Sequence, residues 1–111
     1  MAQSYKILGQ AHLTTTSDTD IYTVPASTET IVSTLIVANI SAAATTFNIA
    51  IREDGDTLAN KHYIAKDVPI AASDSTTLTL GMTLEATDVI TVAAGSADAL
   101  SFNVFGAEVA V

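Results

Sequence analysis

The sequence predicts an all-β fold: a single two-sheet antiparallel β-sandwich of roughly seven to nine short strands, with jelly-roll order as the preferred topology. Three observations carry this. Thr, Val and Ile dominate, while strong helix formers other than Ala and Leu are sparse. Apolar and polar residues alternate with a period of two in several separate stretches, so that one face of each points to a core. Turn-forming clusters recur between those stretches at the spacing of about 8–12 residues usual for a sandwich or barrel.

Taken in order, Tyr5 to Leu8 and Ile21 to Val24 are the first two strands, separated by the turn signal Thr16 to Thr19 and closed by Pro25 to Ser27. Ile31 to Ile40 differs from the rest. Leu35, Ile36, Val37 and Ala38 are apolar in succession, which predicts a central strand covered on both faces. The Ala-rich piece Ser41 to Ala44 is too short to nucleate a helix. The clearest alternation follows, with Phe47, Ile49 and Ile51 on one face and Asn48, Ala50 and Arg52 on the other. Asp54-Gly55, within Glu53 to Asp56, predicts a hairpin turn. His62 to Ala65, Thr76 to Leu80, Val89 to Ala93 and Leu100 to Val104 complete the strands, with turns at Ala72 to Ser75 and Gly95 to Asp98. The predicted core is Leu35, Val37, Phe47, Ile49, Ile51, Leu78, Leu80, Leu100 and Phe102. No internal repeat or linker interrupts the chain, so residues 1–111 are expected to form one domain. Met1 to Ser4 should be loose unless a partner holds it, whereas Phe105 to Val111 stays apolar to the last residue and should be packed.

Composition narrows the function. Twelve acids against four bases give a formal net charge of −8, which opposes a nucleic-acid backbone. The bases Lys6, Arg52, Lys61 and Lys66 are too dispersed to form a basic strip. Without cysteine there is no disulfide, thiolate metal site or thiol nucleophile. No apolar stretch approaches the length of a membrane span, and Met1 to Gln10 lacks the pattern of a secretory signal, so no membrane partner and synthesis in the cytoplasm are expected. Only 5% of the residues are aromatic and much of the hydrophobic fraction is Ala, which makes a thin core and favours an oligomer.

Chemistry-bearing patterns are few. His12 and His62 are accompanied by no nucleophile elbow, phosphate loop or zinc motif, and His62 reads as a half-buried strand histidine bonded to its neighbours. Glu53, Asp54 and Asp56 surround Gly55 without the spacing of a calcium loop, and a hairpin turn explains them better. Asp18 and Asp20 read as turn and surface residues. No catalytic residue, metal or cofactor is assigned. The expected class is structural rather than enzymatic.

The order of segments Tyr5-Lys6-Ile7-Leu8-Gly9-Gln10, Ile21-Tyr22-Thr23-Val24-Pro25-Ala26 and Val32 to Asn39 resembles a group of small virion structural proteins of tailed bacteriophages, notably marine and cyanobacterial ones. Lys61-His62-Tyr63-Ile64, Leu80-Gly81-Met82-Thr83-Leu84, Asp88 to Val92 and Leu100 to Gly106 extend the resemblance over nearly the whole chain. It implies a head decoration, or cement, protein on the capsid surface, with the major capsid protein as partner. A neck, tail or fibre adaptor, or a receptor- or glycan-binding module of the tail, is the alternative. Decoration proteins also suggest a homotrimer. Excess apolarity gives its interface candidates: Ile36, Ala38, Ile40, Phe105, Val109 and Val111.

Overall fold

Eight strands form, each where an apolar pattern lies between turn residues, in a computed structural model that describes residues 3–111. They are β1 (Gln3–His12), β2 (Thr19–Thr23), β3 (Thr28–Asn39), β4 (Thr45–Arg52), β5 (Tyr63–Ile70), β6 (Ser75–Leu84), β7 (Val89–Ala94) and β8 (Leu100–Ala110). Four of the predicted turns hold a non-glycine residue in the left-handed region: Ser27, Asp54, Ser73 and Asp98, with φ of 55°, 54°, 57° and 59°. Short polar side chains tolerate that conformation best, and this places the reversals where the sequence has them.

The strands make two four-stranded sheets, ordered β1-β8-β3-β6 and β2-β7-β4-β5, with antiparallel neighbours throughout. Each strand of one sheet is followed across the core by a strand of the other, except where β4 runs into β5. This is the jelly-roll order. Between the sheets lie Leu35, Val37, Phe47, Ile49, Ile90, Leu100, Phe102 and Val104, all at most 1% exposed. Each such side chain contributes about 1.5–3 kcal/mol on burial. Asn39 closes one end of the sandwich. It is 2% exposed, its amide donates to the carbonyls of Ala43, Ile70 and Ala71, and its carbonyl accepts from Ser41.

Six of the nine predicted core residues are fully buried; Ile51, Leu78 and Leu80 are only partly so. The last two lie on β6, an edge strand, where no neighbouring strand covers the side of the sandwich. The doubly covered strand is β7, buried at every position, rather than β3. Outside β7, the Arg52 side chain donates to Thr91 and to the carbonyls of Gly55 and Asp56, so the segment that follows β4 folds back over the sheet. β3 is central within its own sheet, but Ile36 and Ala38 are half-buried because no element among the described residues lies over that face.

Two further expectations change. Asp54-Gly55 sits in a 3-10 turn, Glu53–Gly55, and the chain continues through a second one, Asn60–His62, before β5 begins. No tight hairpin joins β4 to β5 there: the first of these turns packs against β7 and the second against β4. Of the amino-terminal segment expected to be loose, Met1 and Ala2 lie outside the described residues, whereas Gln3 and Ser4 pair with Val109 and Glu108 of β8. The apolar carboxyl-terminal stretch is what holds them.

Candidate assembly face

The outer face of the β1-β8-β3-β6 sheet carries Tyr5, Ile7 and Ile31, large apolar side chains that are exposed. Its rows follow from the register, since every second residue of a strand shares a face. Tyr5 pairs with Ala107, which pairs with Ile31; Ile7 pairs with Phe105, which pairs with Thr34. Tyr5 is 79% exposed, Ile7 52% and Ile31 41%. Together with half-buried Phe105 they surround a shallow groove of about 540 Å³ floored by Ala107.

A line of irregularities crosses the sheet beside this groove. Leu8 is the extra residue of β1 against β8, and Ser33 is the extra residue of β3. β6 gains its extra residue between Thr79 and Met82. Bulges increase local twist and bend a sheet, and this line separates the apolar half from the rest of the face. Ser33 donates to the carbonyl of Phe105 at the bend. Beyond it the same face turns polar, with rows of Gln10, Asn103, Ile36 and Thr77, then His12, Ser101, Ala38 and Ser75.

Electrostatics leave the facet nearly free of acid in a chain of net charge −8. Lys6, at its rim, is ion-paired to Glu108. That pairing, and then the hydrogen bond from Tyr22, hold the Glu108 carboxyl below the usual carboxylate range. The Tyr22 hydroxyl is pushed up, first by burial and then by Glu108.

Four of the six interface candidates, Ile36, Ala38, Phe105 and Val109, share this outer face and are half-buried. Ile40 and Val111 do not join them. Ile40, 61% exposed, follows the end of β3, and Val111, 62% exposed, bonds to Ser27 near the start of that strand, so they mark opposite ends of the sheet. Sequence reasoning missed Tyr5, Ile7 and Ile31 as members of the facet. The available signal was Tyr5 and Ile7 at one parity with Leu8 at the other, so that both faces of β1 carry large apolar groups.

The polar candidates form no comparable site. His62 is buried, accepts the Ala59 amide proton at Nδ1 and has Asp56 3.6 Å from Nε2, in a turn rather than a strand. His12 lies across the molecule on β1, 3.2 Å from the carbonyl of Asp98. Asp88 accepts the amide protons of Asp54 and Glu85, and Asp54 accepts from Thr87. Among the described residues no group of three or more His, Asp or Glu is placed to hold a metal ion.

No protein-family model and no curated protein matches the chain. Solved structures do. A chain of the acidic stable capsid structure of Helicobacter pylori bacteriophage KHP30 superposes with a TM-score of 0.53 at 11% identity, covering 96% of this chain and 90% of that one. The likeness is one of fold. Chains of infectious bursal disease virus, strains Gt and Gx, align with TM-scores of 0.47 and 0.46 at 9% and 10% identity. The jelly roll covers 96% of itself in both, and 29% and 28% of those longer chains.

Proposed function

We propose that this jelly roll is a virion structural protein without catalytic activity, a decoration protein on the capsid surface that binds the major capsid protein and stabilises the shell. The observation that carries the reading is the exposed apolar facet of Tyr5, Ile7, Ile31 and Phe105, which gathers three of the six large apolar side chains exposed among the described residues. A contiguous exposed apolar patch rimmed by polar residues is a usual mark of an interaction site. Repeated over a lattice, many weak contacts of this kind hold a shell together without any single tight one. The fold likeness to a chain of a phage capsid structure supports the setting, as does the resemblance of the strand segments to small phage virion proteins. A homotrimer is the assembly that resemblance implies, with Ile36, Ala38, Phe105 and Val109 as its contacts.

Mass spectrometry of purified virions tests the reading through copy number. A number comparable to that of the shell subunit is expected. A handful of copies per particle would move the protein to the neck, tail or fibre, and its absence from virions would end the proposal.

A further inference from the structure

The sandwich has one closed side and one open side. On the closed side β1 and β2 touch: a Cβ at Gly9 would stand 2.3 Å from the carbonyl oxygen of Ile21. On the open side, among the described residues, β6 bonds only to β3, and β5 only to β4. A free sheet edge offers unpaired amide and carbonyl groups to any strand that approaches, and proteins blunt such edges with charge, proline or irregularity.

Three of the four edges here are blunted. β1 carries Lys6 and the Gly9 contact, and β2 is five residues long with Asp20 within it. β5 carries Lys66, Pro69 and Asp67, whose φ of 53° interrupts the pairing with β4. β6, ten residues of STTLTLGMTL, has neither charge nor proline. Its irregularity lies near Gly81, so residues 75–79 form a regular run matched one for one to residues 34–38 of β3. Ser75, Thr77 and Thr79 are exposed, and Leu78 is left partly uncovered although its register partner Leu35 is 0% exposed.

We propose that this edge is a self-association site, at which two copies pair residues 75–79 antiparallel across a two-fold axis centred on Thr77 and join their sheets into one. The run is self-complementary in that register. Thr77 meets the partner's Thr77, Ser75 meets the partner's Thr79, and Thr76 meets the partner's Leu78. Hydroxyl-bearing pairs on the outer face are favourable cross-strand neighbours, and Leu78 gains cover on the inner one. Charge selects a second copy at this place. Two chains of net charge −8 repel over most of their surfaces, but the paired run contains no carboxylate. Asp74, which flanks it, accepts the Ser75 amide proton and falls opposite the partner's Leu80. The contact is separate from the apolar facet and does not rest on the virion reading. Combined with a three-fold contact elsewhere, a two-fold one links oligomers into a net.

The chain has no cysteine, which makes cross-linking clean. Thr77→Cys should form a disulfide-linked dimer under mild oxidation, visible on a non-reducing gel. Ser75→Cys alone should not, whereas Ser75→Cys mixed with Thr79→Cys should. In sedimentation, Thr77→Asp sets like charges opposite one another and should weaken dimerisation by roughly tenfold or more, with its melting curve unchanged. Cross-linking of Thr77→Cys no faster than that of a Tyr5→Cys control, or undiminished dimerisation of a folded Thr77→Asp variant, overturns the proposal. Loss of shell binding on altering the apolar facet leaves it standing.

Discussion

The hydroxyl of Tyr22, on the edge strand of one sheet, donates a 2.6 Å hydrogen bond to Glu108 of the other. The same hydroxyl lies 2.7 Å from Thr30 Oγ1, and Glu108 also holds Lys6, so four strands, β1, β2, β3 and β8, meet in one polar cluster at this end of the sandwich. A buried hydroxyl left without a partner is costly, and here the two sheets satisfy one another. Tyr22→Phe should lower stability by about 1–2 kcal/mol in chemical denaturation, leaving the fold and the apolar facet in place.

The same cluster sets an acid dependence. Glu108 is held below its ordinary range by Lys6 and Tyr22. Its contribution is therefore fully present above the pH at which the unfolded carboxyl titrates, and is lost as pH falls through the lower folded value. Glu108→Gln should be less stable than wild type at neutral pH, and the two should converge on acidification. Denaturation midpoints measured across that range check this, and a difference that does not shrink in acid would refute it. Lys6 is half exposed, so added salt should weaken its share.

Gly106 is held by close packing of backbones. A Cβ there would stand 2.0 Å from the carbonyl oxygen of Ile31, on the neighbouring strand. Gly106→Ala should cost more than about 3 kcal/mol, because backbone rather than a mobile side chain has to give way. Thermal melting of the variant is the measurement.

Arg52 fastens the segment that covers β7. Its guanidinium donates to both carboxylate oxygens of Asp20, to Thr91 and to the carbonyls of Gly55 and Asp56, and the side chain is 16% exposed. Arg52→Met keeps the apolar stem and removes every one of these bonds. A loss of about 1–3 kcal/mol is expected, together with faster amide exchange in residues 53–62.

On the apolar facet, Ile31→Asp and Tyr5→Ser alter exposed groups and should leave the melting temperature nearly unchanged. On the proposed docking to a capsid shell, binding to shells stripped of the protein should fall sharply for Ile31→Asp, because a carboxylate desolvated without a partner costs several kcal/mol, and less for Tyr5→Ser, which only removes apolar contact. Ile36→Asp, half-buried on the same sheet, should impair assembly as well. Unchanged shell binding by folded Ile31→Asp would remove the facet from the docking surface.

The sequence by itself determined the strands, because alternation along Phe47 to Arg52 or Leu100 to Val104 is a local property that fixes which side chains share a face. It placed four of the turns as well, since Ser27, Asp54, Ser73 and Asp98 occupy a backbone region that few other residues tolerate, although the one at Asp54 became a 3-10 turn rather than a hairpin. It also carried the all-β class and the absence of any familiar catalytic pattern. Coverage was decided only by the tertiary structure. Whether an apolar residue is buried depends on which strand or loop lies over it, and that neighbour is distant in sequence. Val89 at the start of β7 is covered on its outer side because Arg52 holds the Glu53–Gly55 turn back over the sheet. Ile36 and Ala38 stayed half-open because none of the described residues crosses their face, and Leu78 and Leu80 lost full cover because β6 became an edge. The assembly face has the same origin: Tyr5, Ile31 and Phe105 are far apart in the chain, and only the pairing of β1, β8 and β3 brings them side by side.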